Sequence, residues 1–142
     1  MDGIEIREME IEDYDSVIDL WKSTEGIGLS EADSRDNIAI FIRRNPGYSL
    51  VAQKDSEIVG AVLCGHDGRR GYLHHLAVKK GHRLKGLGKE LEYSCLNRLK
   101  MDGIDKCHIF VFRENRDGAE FWITNGWQTR HDLNIMSKHT LG

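Results

Sequence analysis

Apolar residues recur with two different periods along this chain, and the changes of period outline its elements. Ile4 and Ile6 alternate with charged residues, which predicts a short strand over 3–9. Tyr14, Val17, Ile18 and Trp21 follow at steps of three, four and seven from the first, one apolar face of a helix near 12–23. Residues 22–30, with two glycines and no period, predict a loop. Ser30 and Asp33 stand at capping-box spacing, and Ile38, Phe41 and Ile42 supply the inner face of a second helix that Asn45-Pro46-Gly47 stops. The period then becomes that of strands. Residues 48–54 and 57–64 are β-branched or aliphatic runs parted by Asp55-Ser56, a hairpin, and Asp67-Gly68 turns the chain into a third strand over 71–78. Residues 79–86 are polar and basic, so they form a loop. Leu87, Leu91, Cys95 and Leu99 then mark a long helix from Gly86 to about Asp102-Gly103. Residues 105–112 predict a buried strand. A short helix with Ala119, Trp122 and Ile123 on one side stops at Asn125-Gly126, and weak alternation over 127–138 predicts the last strands.

Three meander strands followed by one strand–helix–strand crossover imply an α/β fold of the α+β kind, a mixed sheet with helices packed on it. The 142 residues suit one domain, 1–142, with a single core. With 39% apolar and 30% charged residues and one proline, the composition excludes collagen-like, disordered and disulfide-stapled chains. The formal charge of −3 exerts no global pull on nucleic acid or anionic membrane, so neither is expected as a partner. Cys64, Cys95 and Cys107 form no CxxC pair, which suggests a reducing compartment and excludes a closed cysteine zinc site. The apolar run Ile58 to Cys64 is too short to span a bilayer, and the acidic start MDGIEIREMEIED is unlike a signal peptide. The cytoplasm is the expected location.

The stretch from Tyr72 to Glu92 carries the most chemistry: a strand ends, a basic loop with glycine follows, and a helix begins. A helix N-terminus leaves N–H groups unpaired and concentrates partial positive charge. Gly86 and Gly88 allow close approach to the backbone, and Lys79, Lys80, Arg83 and Lys85 add full charges. Together these features make a pyrophosphate cradle; glycines serving turn geometry beside a solvated basic loop are the structural alternative. A P-loop is excluded because Arg83 stands where its first glycine belongs, and a dinucleotide fingerprint because Gly86-Leu87-Gly88-Lys89-Glu90-Leu91 ends in leucine.

Leu76-Ala77-Val78 followed by Arg83-x-x-Gly86-x-Gly88 at a helix start resembles the acetyl-CoA-binding motif of the GNAT N-acetyltransferases. Asn115-x3-Ala119-x-Phe121-Trp122-x3-Gly126-Trp127 resembles the C-terminal signature of that family, and the element order matches its fold over nearly the whole chain. The resemblance implies a mostly antiparallel sheet splayed between two adjacent parallel strands and flanked by about four helices. It implies acetyl-CoA as cosubstrate, with no metal, and transfer of acetyl to a primary amine by direct attack. Leu76, Ala77 and Val78 would meet the pantetheine arm beside a bulge. The backbone of Leu84, Lys85, Gly86, Leu87, Gly88 and Lys89 would hold the pyrophosphate with Arg83, and Asn115 would contact the cofactor near its thioester.

An alkylammonium acceptor calls for a base. His74, four positions before Val78, matches a histidine used by arylalkylamine-acetylating relatives, and a satisfied strand histidine is the structural alternative. Glu114 is a second candidate. Alternation puts Tyr72, His74 and Leu76 on one face of the strand and His75 on the other. The usual tyrosine acid falls at Trp122, whose indole is no practical acid, so water, Tyr72 or Tyr93 would substitute. Four acids (Glu25, Glu31, Asp33, Asp36) against two bases over 22–36 favour a cationic acceptor, and a C-terminal edge strand makes a homodimer plausible. A catalytically weak acyl-CoA-binding sensor and a nucleotide-binding domain of another fold are the alternative functions.

Overall fold

Five strands lie in one sheet in chain order: β1 (Ile4–Glu8), β2 (Leu50–Lys54), β3 (Glu57–His66), β4 (Gly71–Val78) and β5 (Cys107–His108). The computed structural model describes residues 3–141. β1 to β4 pair antiparallel, and β5 joins β4 in parallel at Gly71–Cys107 and Tyr72–His108. A parallel pair needs a crossover, which α3 (Leu87–Met101) supplies. The mixed sheet and its helices agree with the α/β fold expected from the strand and helix order.

α1 (Tyr14–Lys22) and α2 (Arg35–Arg44) cover one face of this sheet. Val17, Leu20, Trp21 and Ile38 pack there with Val51, Ala61, Leu63 and Ala77. Gly60, next to Ala61 and so on the opposite face, faces α3: a Cβ on it would lie 3.1 Å from Leu91 Cδ1. Leu87, Leu91, Cys95 and Leu99, the four-residue repeat of the sequence, are all buried on that side. Fully burying each leucine stabilises the fold by about 1.5–3 kcal/mol, which fixes α3 and therefore the loop that enters it. Ser34 caps α2 by accepting from Asn37 N at 3.2 Å, and Ser30–Asp33 closes the expected capping box on a 3-10 turn at Glu31–Asp33.

The chain forms two compact units, Met1–Phe110 and Val111–Gly142. The second holds α4 (Arg116–Thr124), started by Asn115, whose Oδ1 accepts from Gly118 N at 3.0 Å. Inside that unit the Trp122 ring meets Phe121 at 5.0 Å and Trp127 at 5.2 Å.

Two expectations need correction. The strand expected over 105–112 pairs only at Cys107 and His108, because β4 changes direction further along and offers no straight edge to follow. No strand occurs after β5 among the described residues, so the last strands expected over 127–138 are absent. Leu133 and Ile135 would share a strand face there, yet they are 59% and 71% exposed; the alternation finds nothing to bury against.

Candidate active site

β4 carries one residue more than its partner. Leu63 faces His74 and Ala61 faces Ala77, so three steps on β4 answer two on β3. The extra residue is absorbed at His75, whose φ of +55° is left-handed. Such a conformation costs a non-glycine residue roughly 1–2 kcal/mol, though histidine tolerates it better than most. The bulge expected near Leu76 and Val78 is therefore present, and it corrects the simple alternation. Ala77, not Leu76, shares the core face with His74's partner Leu63, and His75 turns to the α1 side, where its ring meets Trp21 at 4.9 Å.

Beyond the bulge, β4 is held by β3 alone. Lys79 N donates to Val59 O at 2.8 Å, so alternation turns the N–H of Val78 away from β3, toward the side β5 has left.

His74 sits at the opening. Its ring lies 6.2 Å from Tyr72, Phe110 and Phe41, the first two with nearly parallel planes at 4° and 24°. Burial pushes its pKa below the ordinary 6.5, the neighbouring His75 acts the same way, and Asp33 opposes them. The imidazole therefore stays neutral at pH 7, the form a base requires. Tyr72 stands beside it, while Tyr93 is 63% exposed on α3. Glu114 is exposed in the second unit, just before α4.

The loop between β4 and α3 has the form a cradle needs. Gly86, with φ +83°, starts α3 with no side-chain cap, whereas α2 and α4 have Ser34 and Asn115. The first-turn N–H groups of Leu87, Gly88 and Lys89 thus have no partner from the helix itself. Leu84, also left-handed at φ +63°, leaves its side chain fully exposed while its backbone turns the loop. Lys85 and Lys89 are exposed and have no ion pair among the described residues. The donor set suits a diphosphate: backbone N–H groups, a helix dipole and lysines. Arg83 is less available than its charge suggested, since Nε donates to Val78 O at 2.7 Å and Nη1 lies 3.4 Å from Glu25 Oε2. Lys79 pairs with Glu57 at 2.9 Å.

Two acids of the 22–36 segment are likewise engaged, Glu25 with Arg83 and Asp33 with His75 (Nε2 to Oδ1, 2.9 Å). Of the negative charges counted in the sequence, that of Glu25 is thus offset by Arg83. The Asp33–His75 pair escaped the sequence because 42 residues separate its members; the Ser30–Asp33 box was the one signal that this carboxylate is held in place. The side-chain oxygen of Asn115 is occupied in capping α4. Cys64 and Cys95 are buried, and their mutual contact and burial raise the Cys64 thiol far above its ordinary value. Burial pushes Cys107 up to about 12. Neither Cys64 nor Cys107 is a nucleophile at neutral pH, and Cys95 is buried out of reach. Among the described residues no three His, Cys, Asp or Glu side chains gather as a metal site, and no helix is long and apolar enough to cross a membrane.

The sheet thus opens beside a histidine, and an uncapped basic helix start lies next to the opening. A profile of the Acetyltransferase (GNAT) family matches residues 14–127, and the chain belongs to that family. An acetyltransferase of Pectobacterium atrosepticum is 32% identical over 116 residues, covering 82% of this chain and 81% of the relative. The PaiA N-acetyltransferase of Thermoplasma acidophilum, solved in complex with coenzyme A, superposes with a TM-score of 0.78 at 27% identity, over 89% of this chain and 91% of that one. An acetyltransferase of Streptococcus agalactiae shares the fold at a TM-score of 0.79 and 17% identity, over 98% and 93% of the two chains.

Proposed function

We propose that this protein is an acetyl-CoA-dependent N-acetyltransferase that modifies a primary amine by direct attack. The observation that carries it is the bulged end of β4, which turns the Val78 N–H to an open edge between His74 and the uncapped start of α3. The coenzyme A complex of the Thermoplasma relative supports the choice of donor.

In this proposal the N–H groups of Leu84 through Lys89, with Lys85 and the α3 dipole, hold the diphosphate. Arg83 stays on Val78 O and fixes the strand end. Leu76 and Val78 offer backbone groups along the open edge as a strand would, while Ala77, opposite Ala61, keeps its backbone groups turned to β3. When bound, acetyl-CoA supplies an activated carbonyl and a thiolate leaving group.

An ordinary alkylamine, with a pKa near 10, is only about one part in a thousand neutral at pH 7, so deprotonation costs about 4 kcal/mol. His74 takes that proton, directly or through water, because burial keeps its ring neutral. The Val78 N–H steadies the developing oxyanion. The departing thiolate needs little help, since a thiol pKa near 8.5 makes it a fair leaving group, and water or Tyr72 returns the proton. The acceptor enters over the loop before α2, with His74, Tyr72 and Phe110 as its aromatic wall.

Release of free coenzyme A in the presence of an amine panel tests the proposal. Turnover with at least one primary amine, and none without acceptor, is expected. Saturable acetyl-CoA binding with no release for any amine would overturn it in favour of an acyl-CoA sensor, the reading that Trp122 in place of a tyrosine keeps open.

A further inference from the structure

His75 has a peculiar position: it is the residue that bulges β4, yet its ring is bound to a different part of the chain. Its side chain is 18% exposed and that of Asp33 is 9% exposed, so the link between them is shielded. An ionised carboxylate only accepts, so Nε2 of His75 carries the proton that joins them. The carboxylate is fully used, Oδ1 by His75 and Oδ2 by Ser30 N at 3.1 Å, while the Asp33 carbonyl accepts from Tyr14 O–H at 2.6 Å. Asp33 is thus a rigid junction between α1, the loop 23–34 and β4. The left-handed residue beside the peptides at 76–78 is thereby joined through its ring and Asp33 to the turn at Ser30.

We infer that His75 is a positioning residue: through Asp33 it ties the loop 23–34 to the end of β4, so that filling the open edge orders the loop across which the acceptor enters. The inference rests on the assignment of β4 as the donor strand proposed above. Coupling of this kind is reciprocal, so a bound acceptor tightens the donor to the same extent. A second tie joins the same regions, Arg83 Nη1 to Glu25 Oε2 at 3.4 Å, but Glu25 is largely exposed and the contact is long. The Asp33–His75 tie is shorter and better shielded from solvent.

Amide hydrogen exchange on the full chain, with and without saturating acetyl-CoA, separates the possibilities without knowledge of the acceptor. In the wild type, acetyl-CoA should slow exchange over 79–90 and also slow the amides of 28–34 by about fivefold or more, the lower end of ordinary coupling. His75→Phe keeps a ring against Trp21 but lacks the N–H. It should retain protection over 79–90 and lose the response over 28–34, and His75→Gln, which restores a donor, should recover it. If the Phe variant does not fold, His75→Gly suits the positive φ and removes the tie. Retention of the loop response in the Phe or Gly variant would overturn the inference and assign the coupling to Arg83–Glu25. Protection over 79–90 with no response over 28–34 in the wild type would overturn the inference alone. No protection over 79–90 would overturn the donor assignment and the inference together.

Discussion

The two ends of β4 belong to one strand and live differently. At Gly71 and Tyr72 the strand has β3 on one edge and β5 on the other, and Gly71 is so tightly covered by α3 that a Cβ would lie 2.7 Å from Leu99 Cδ1. At Leu76–Val78 the same strand has β3 alone. The difference originates in one residue of backbone surplus at His75. A sheet edge with unpaired amides must find partners in water or in a ligand. The closed end is therefore a foundation, and the open end, carried on it without slack, is where binding can be gained.

The largest effect should come from breaking the open end. Gly86→Glu forces a left-handed position on a side chain and sets a negative charge against the diphosphate. Acetyl-CoA affinity measured by calorimetry should fall by about 100-fold or more, and undiminished affinity would refute the cradle. His74→Ala comes next. It should lower kcat at pH 7 by about 100-fold while acetyl-CoA affinity stays nearly constant. The pH–rate profile sharpens the point. Burial lowers the His74 pKa, so the base form persists below pH 6.5, and the wild-type rate should fall only in more acidic solution. An acid limb unchanged in the alanine variant would remove His74 as base.

The smallest functional effect is expected at the closed end. Gly71→Ala overpacks the contact with Leu99 and should cost about 1–3 kcal/mol of stability. For a chain of this size that is a fall in Tm of roughly 2–4 °C per kcal/mol, with acetyl-CoA binding unaltered. A loss of binding comparable to that of Gly86→Glu would mean that the two ends of β4 do not divide labour.

The elements on either side of this division were legible in the chain itself. The four-residue repeat of Leu87, Leu91, Cys95 and Leu99 and the two-residue repeats before it predict α3 and the meander, because burial of one face leaves a periodic trace. Gly86 was legible because a helix start without a side-chain cap shows in the sequence. The bulge carried no such mark: a histidine, not a glycine, takes the left-handed position, and what holds it there, Asp33 and Trp21, is far away along the chain. Alternation alone therefore put His75 on the wrong face. The overlong strand over 105–112 failed for a related reason. Its residues are apolar enough to pair, but pairing also depends on the path of the neighbouring strand, which sequence periodicity does not describe.

The sulfur atoms of the chain bear on how cleanly a thioester is handled. Cys64 and Cys95 are sealed between β3 and α3, and Cys107 holds its proton tightly. An activated acyl group brought to β4 consequently meets no competing thiolate from the protein. Self-acylation, the side reaction most natural to a thioester in contact with cysteine, is held back at Cys64 and Cys95 by packing and at Cys107 by its retained proton.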